Sequence, residues 1–303
     1  MTPIGLVERL LGGFNWLRPE PGSAVWWFRR DRIAVISLTF IVAMLLIAIL
    51  APWLTPYPNQ GRGEPSILDK LLPPSQAHPF GTDPLGRDVL ARVLFGARTA
   101  LIAGIAIQAI SVTFGTVLGA LAGYSGGWLD EVIMRVTDVF LAFPPLLLAM
   151  TIAAVLGPSL QNAILAISMT WWPWYTRLTR GQAISVRERD YVKAARGIGV
   201  NDITIIWRHI LPNVLTPVMV QATLDLGASI LTVSALSFLG LGVPPPTPDW
   251  GAMISEGRVY IQSGRWWIPT FPGLALFLTI MSFNLLGDGV QIVSNPQARG
   301  DLE

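Results

Sequence analysis

Few side chains in this sequence are equipped for covalent or metal chemistry. It has no cysteine, which excludes thiolate nucleophiles, disulfides and Cys-based zinc sites, and its two histidines are too few for a His-rich metal centre. Nucleotide hydrolysis needs a Gly-x-x-x-x-Gly-Lys-Ser/Thr loop, but the two lysines, Lys70 and Lys193, follow Asp69 and Val192, so that motif is absent. No nucleophile, base and orienting partner are grouped, which disfavours a membrane enzyme. Two features remain: Asp225, the one carboxylate deep in an apolar run, and residues 187–213, a polar stretch with internal design. An acid in such a run is costly unless it faces a cavity, a pathway or a partner. Its plainer alternative is a helix–helix hydrogen bond to a Ser or Thr.

Within 187–213, Val192, Ala195 and Arg196 suit a short helix, and Gly197 and Gly199 let that helix stop and the chain turn. A second helix follows with Asn201 or Asp202 as N-cap, Ile203, Ile206, Trp207 and Ile210 on one apolar face, and Pro212 at its end. Such a knob, basic outside and apolar on one face, fits a groove on another protein. The plainer reading is a basic loop that orients the chain by charge, against which the glycine and proline spacing argues.

The elements that position these groups follow from composition. A chain of 303 residues with 52% hydrophobic and 13% charged residues, and a mean hydropathy of +0.53, is an all-α integral membrane protein rather than a soluble one. Its net charge of +2 and pI near 9.2 come without a dense basic run or basic-aromatic platform, so the charge belongs at membrane faces and no nucleic-acid partner is expected. Six spans are expected at about 33–51, 99–124, 132–156, 160–177, 214–239 and 271–293. The first, 19 residues, is roughly 28 Å long at about 1.5 Å per residue. Residues 1–32 form a separate N-terminal interfacial segment, with Trp26, Trp27 and Phe28 ahead of Arg29, Arg30 and Arg32, and 33–303 make one permeating domain.

Several local signals add detail. In the proline-rich interval 52–98, Asp83 reads as an N-cap with Pro84 at the first helical position and Leu85, Val89, Leu90, Val93 and Leu94 on one face. Gly115, Gly119 and Gly123 repeat every four residues, a pattern for close helix packing. Pro144 and Pro145 kink the third span and, with Asp225, are candidates to face a pathway or a partner. Trp171, Trp172, Trp174 and Tyr175 read as an aromatic belt at the end of the fourth span. An even number of spans puts both termini on one side. Five Lys/Arg in 1–32 and seven in 177–213, against two in 243–270, make that side cytoplasmic.

Three motifs carry a resemblance. Ala194, Ala195, Gly199, Leu211 and Pro212 match the spacing of the cytoplasmic coupling loop of ATP-binding-cassette importer permeases, with Lys193 in place of its usual Glu and His209 in place of Ile. Gly81, Asp83, Gly86, Arg87 and Asp88 match the Gly-Thr-Asp-x-Leu-Gly-Arg-Asp motif of the C-type permease subunit of dipeptide, oligopeptide and nickel importers. Residues 239–242 with 248–253, and 283–289, are also similar to that subunit, whereas 291–296 depart from it. The resemblance covers roughly residues 25–290. It implies a type I importer permease fold of six helices with a cytoplasmic coupling helix, in a bacterial or archaeal cytoplasmic membrane. It also implies a homologous B-type permease partner, two cytoplasmic ATPase subunits that use ATP and Mg while this chain binds no cofactor, and an extracytoplasmic solute-binding protein. An ion-driven secondary transporter is the alternative, supported by Asp225 and the broken helices.

Overall fold

A computed structural model describes residue 28 and residues 30–294 of the chain. The expected interfacial segment, apart from residues 28 and 30–32, and the tail from 295 lie outside the described residues. The rest is a helical bundle: α1 (Arg32–Leu54), α2 (Val89–Ser125), α3 (Gly127–Leu141), α4 (Pro145–Leu156), α5 (Leu160–Arg187), α6 (Asp190–Gly197), α7 (Leu211–Phe238), α8 (Trp250–Gly257) and α9 (Trp267–Ser294). Among the described residues, α1, α2, the run Asp202–Phe238 and α9 are long and apolar enough to cross a membrane, and α3 with α4 makes a fifth span if the bent pair counts as one. The 28-residue α5 does not pass on composition, because Gln161, Asn162, Ser168, Thr170, Thr176 and the Trp171–Tyr175 run lower its hydropathy ahead of Arg177, Arg180 and Arg187; Ser168, Thr170, Thr176 and Thr179 are buried against its neighbours. Two of those hydroxyls return their hydrogens to the helix, Thr170 to Ile167 O at 2.8 Å and Thr176 to Trp172 O at 3.0 Å.

Three expectations are corrected. The third span is not one kinked helix: α3 and α4 meet at 86°, with the break at residues 142–144. Two successive prolines remove two donors, and each disfavours helical geometry in the residue before it, so the helix stops and restarts with Pro145 in the first turn of α4. Trp172 and Tyr175 do not form a belt, since α5 runs ten residues beyond the expected end and buries both inside the bundle. The helix after the proline-rich interval starts at Val89, capped by Asp88, whose Oδ1 accepts from Ala91 N at 2.7 Å. Asp83 instead closes a turn, accepting from Leu85 N at 2.8 Å and Arg87 N at 3.0 Å, and Leu85 precedes the helix and is exposed.

The 37 residues of α2 span about 55 Å, so its two ends lie well outside a hydrocarbon core of about 30 Å. At its start, Trp250 donates to Val93 O at 3.0 Å and Trp267 donates to Thr82 O at 3.2 Å, joining α8 and α9 to the 80–93 segment. At its other end lie α6 and the turn around Gly199. The C-terminal part of α9 meets the start of α1, because a Cβ on Gly289 would sit 2.5 Å from that of Ala34, and one on Gly287 would sit 2.9 Å from Leu224 Cα on α7.

The axis of the bundle is the α2–α5 contact. Added Cβ atoms would lie 2.6 Å from Trp172 O at Gly115, 2.7 Å from Thr179 Cβ at Gly119 and 2.6 Å from Arg180 O at Gly123. The glycine stripe therefore does what its spacing predicts, bringing two backbones into direct van der Waals contact where lipid supplies no hydrophobic drive. Gly119→Ala is expected to cost about 1–3 kcal/mol by overpacking. In thermal unfolding of the solubilised protein it lowers Tm by several degrees, while Gly181→Ala, which meets nothing within 4 Å inside α5, does not lower it and by helix propensity raises it slightly. Equal Tm values for the two variants would contradict this packing.

Candidate functional site

Asp225 sits on α7 halfway along the bundle and is tied by a chain of uncharged polar groups. Tyr175 Oη on α5 lies 2.7 Å from Asp225 Oδ2 and 2.8 Å from Gln108 Oε1 on α2, so one phenolic hydrogen serves two acceptors. Gln221, one turn earlier on α7, donates to Asp225 Oδ1 at 3.0 Å. Gln108 donates to Ser229 Oγ at 2.6 Å, and Ser229 donates to the backbone oxygen of Asp225 at 2.9 Å. Three helices thus fix the carboxylate without a neutralising cation; among the described residues no Lys or Arg forms an ion pair with it. Asp225 and Gln221 share a cavity of about 270 Å³ with Pro145, Trp171 and Trp174. Of the three candidate pathway residues the structure brings together Asp225 and Pro145, whereas Pro144 forms the cap ahead of α4 and does not line the cavity.

At the far end of α2 the 187–213 stretch forms the expected pair of short helices. Gly199 has φ +81°, the left-handed geometry that favours glycine, whereas Gly197 ends α6 without it. Asn201 is the N-cap of the helix Asp202–Ile205, accepting from Ile203 N at 2.8 Å. The apolar face is rotated from the expected one: Ile205, Ile206, Ile210 and Leu211 pack with Val192, Ala195 and Tyr124, while Ile203 and Trp207 are exposed. Pro212 does not end the helix. A π turn over Ile206–Ile210, with Leu211 N bonded to Ile206 O, widens the ladder so that Pro212 enters the first turn of α7 and the helix continues. Asn213 donates its side-chain amide to His209 O at 2.6 Å, a further bond across the π turn.

This knob is clamped to α2. The Tyr124 hydroxyl donates to the Asp202 carboxylate, and the Arg196 guanidinium lies 4.9 Å from the Tyr124 ring centroid. Nearby, Arg180 grips Asp130 of α3 through both nitrogens at 2.5 and 2.7 Å, and Arg187 donates to Gly123 O and Tyr124 O at 3.3 Å. Lys193, at the unusual position, makes an exposed pair with Glu188 at 3.2 Å. What stays open is an apolar tip: Ile198 is 83% and Trp207 63% exposed, with Ile203 between them. Ala194 and Gly199 lie on the open side, whereas Ala195 and Leu211 face inward.

At the near end the Gly81–Asp88 motif is a buried charge cluster. Asp83 Oδ2 takes Arg87 Nε at 2.6 Å and Arg92 Nη1 at 2.7 Å, and both arginines reach Glu256 of α8 at 3.2 and 3.1 Å. Asp83, Arg87, Asp88 and Arg92 are at most 2% exposed. His78 Nδ1 lies 2.9 Å from Asp88 Oδ2. Gly86 turns the chain at φ +77°, and Gly81 admits the Trp267 indole. Asp249 caps α8, accepting from Ala252 N at 2.9 Å. Burial pushes its carboxyl up to about 6, opposed by the Ala252 amide, the Ser237 hydroxyl, the Gly251 amide and the Arg92 charge.

Sequence reasoning missed Gln108, Tyr175, Gln221 and Glu256. The i, i+4 run of Gln221, Asp225 and Ser229 is a readable stripe on one helix. The partners on α2 and α5 carry no such signal, because one polar residue per helix gives no period.

The family described as "Binding-protein-dependent transport system inner membrane component" matches residues 115–300, and that described as "N-terminal TM domain of oligopeptide transport permease C" matches residues 22–74. The chain is 45% identical over 279 residues to the "Probable D,D-dipeptide transport system permease protein DdpC" of Escherichia coli K12, covering 91% of each. It is 44% identical over 271 residues to the dipeptide transport system permease protein DppC of Alkalihalophilus pseudofirmus, covering 89% of this chain and 88% of that one. It is 40% identical over 298 residues to the glutathione transport system permease protein GsiD of Shigella boydii, covering 97% of each.

The buried Asp249 gives the α8 end a pH signature. In the native chain its proton stays on to about pH 6, whereas an unfolded Asp releases it near 3.9. Between those values the native state binds more protons, so this group's contribution to stability falls as pH rises, by on the order of 2–3 kcal/mol in all. Asp249→Asn keeps a capping oxygen and carries no charge, so its Tm relative to the parent rises by several degrees from pH 4.5 to pH 7. A pH-independent difference would mean that Asp249 titrates as an ordinary carboxylate.

Proposed function

The chain belongs to the binding-protein-dependent inner membrane permeases, as a C-type subunit of the peptide ATP-binding-cassette importers, and from that premise we propose how its parts divide the work. It is a multi-pass permease of the inner membrane rather than an enzyme, and ion-driven secondary transport is set aside with that membership. Its cargo is short peptides, the class that the relatives' names give. It crosses the membrane six times, with α3–α4 as the broken third span and the polar α5 as the fourth, shielded by α2 and a partner. Residues 1–32 lie on the cytoplasmic face and 33–303 form the permeating domain, with both termini cytoplasmic. The contact of Gly289, late in α9, with Ala34, at the start of α1, supports a common side for the termini.

The knob of Ala194, Ala195, Gly199, Leu211 and Pro212 is the coupling element, seated on one of two cytoplasmic ATPase subunits that use ATP and Mg. The observation that carries this reading is the clamped knob with its open apolar tip: Tyr124–Asp202 and Arg196 fix it to α2, while Ile198, Ile203 and Trp207 have no cover within the described chain. A rigid mount transmits force, and an uncovered apolar tip docks. The Gly81, Asp83, Gly86, Arg87, Asp88 face receives the extracytoplasmic solute-binding protein, and a B-type permease lies alongside as the second half of the pathway. The buried charges hold that face in one shape, so docking orders little. Asp225 and Pro145 line the pathway.

Proteoliposomes containing the whole complex test both halves of this proposal. ATP-dependent uptake of labelled di- and tripeptides is expected, and none for any of them would exclude the peptide reading. Gly199→Val forces a β-branched residue into left-handed backbone, at about 1–2 kcal/mol or more. With the chain still inserted, peptide delivered per ATP hydrolysed falls at least about fivefold, the change that about 1 kcal/mol produces. An unchanged ratio in this variant and in Trp207→Ala would refute the coupling role.

A further inference from the structure

We propose that the cavity between α3–α4, α5 and α7 takes the ammonium group of the passing solute, with Asp225 as its counter-charge and Trp171 and Trp174 as its aromatic walls. The proposal rests on the reading of Asp225 as pathway-facing and of peptides as cargo.

Three features of the cavity point to a cation. Asp225 lines it, and its fixed partners, Tyr175 and Gln221, are uncharged. A carboxylate held between apolar helices without a cation is costly, and the deficit is removed by a positive charge that arrives from outside. An ionised carboxylate accepts about four hydrogen bonds. Tyr175 and Gln221 supply two, so acceptor capacity remains for an incoming N–H. The other walls include two indoles, the aromatic surface that attracts ammonium groups best.

Size and cargo chemistry narrow the ligand. About 270 Å³ lies just below the roughly 300–1,000 Å³ of pockets that enclose a drug-sized ligand, so the cavity takes one end of a solute rather than all of it. The compounds named by the relatives, D,D-dipeptide, dipeptide and glutathione, share a free α-ammonium group while differing in stereochemistry and backbone linkage. A single counter-charge flanked by flat aromatic faces recognises that shared group and ignores the differences. Tyr175 and Gln221 act as positioning residues, since they hold the carboxylate in place.

The chain has no native cysteine, so an introduced thiol is the one labelling site on this subunit, read from the mass of the separated subunit. Leu141 lines it without belonging to the recognising set. In proteoliposomes with the full complex but no binding protein, Leu141→Cys is treated with a neutral methanethiosulfonate reagent, with and without nucleotide. Millimolar alanyl-alanine is expected to slow labelling at least about threefold, the scale of an ammonium–aromatic contact, whereas N-acetyl-alanyl-alanine does not. Asp225→Asn abolishes that protection and Asp225→Glu retains it. If both peptides protect equally, or neither does, the ammonium assignment falls while the cavity stands as part of a water-filled path. If Leu141→Cys is unreactive in every nucleotide state, the cavity is sealed and the pathway reading of Asp225 falls with it.

Discussion

The backbone contact between α2 and α5 is the constraint on which the rest of the molecule depends. In a bilayer the lipid is as apolar as any side chain, so helices associate through close packing and interhelical hydrogen bonds. Gly115, Gly119 and Gly123 let α5 approach until Trp172 O and Arg180 O touch α2. That approach fixes the rotation of α5, and the rotation fixes which residues face where. Tyr175 is aimed between Gln108 and Asp225, Arg180 at Asp130, and Arg187 at the last carbonyls of α2. A side chain at any one of the three glycines separates the axes and uncouples all of these contacts together.

The two ends of α2 are held by different physics. At the Asp83 end, three charged groups at most 2% exposed, Asp83, Arg87 and Arg92, form one network with the partly open Glu256. Removing one partner of a buried pair strands the other and costs about 3–5 kcal/mol, so this end tolerates little change of shape. At the Gly199 end two pairs are open, Lys193–Glu188 and Arg177–Asp138, with more than half of each side chain exposed and a contribution of about 0–1 kcal/mol each, while Arg180–Asp130 is the covered one. Cohesion there comes from Tyr124, whose ring, hydroxyl and backbone oxygen are all engaged. One end is therefore a fixed frame, and the other a clamp around a single aromatic residue.

Periodicity and composition made much of this legible. The glycine stripe, the apolar runs of α1, α2, α7 and α9, and the turn at Gly199 were all readable, because each rests on a local repeat or a single backbone requirement. What failed to read was competition between equally good local signals. Asp83-Pro84 and Arg87-Asp88 both look like helix starts, and the choice is made by His78, Gln60 and Arg92, which come from elsewhere in the chain. Pro212 looks like a stop and is not one, because a π turn accommodates it. Two prolines at 144 and 145 look like a kink and give a break, since the chain has no other way to supply the missing donors. The charge of α5 hid its length, not its place: its arginines meet Asp130, Asp138 and the end of α2 rather than marking its exit from the helix array.

The run from Asp202 to Phe238 joins the knob to Asp225 in one helical stretch. About 22 residues separate Ile203 from Asp225, roughly 33 Å of helix at 1.5 Å per residue. A helix carries a displacement as a rod wherever its hydrogen-bond ladder is intact. This ladder is interrupted between Ile206 and Pro212 by the π turn, and again at Pro217, where a donor is missing inside the helix. Beyond Pro217 the ladder has no further proline, and Gln221, Asp225 and Ser229 lie on one face within that segment. A push at the knob therefore bends the run at two defined points, while the segment holding Asp225 moves as a unit with its own polar partners. Tyr175 and Gln108 belong to the α2–α5 pair and face that segment across a helix interface. The hydrogen bonds from Tyr175 to Asp225 and from Gln108 to Ser229 are the contacts that a shift of α7 against the pair must break or slide.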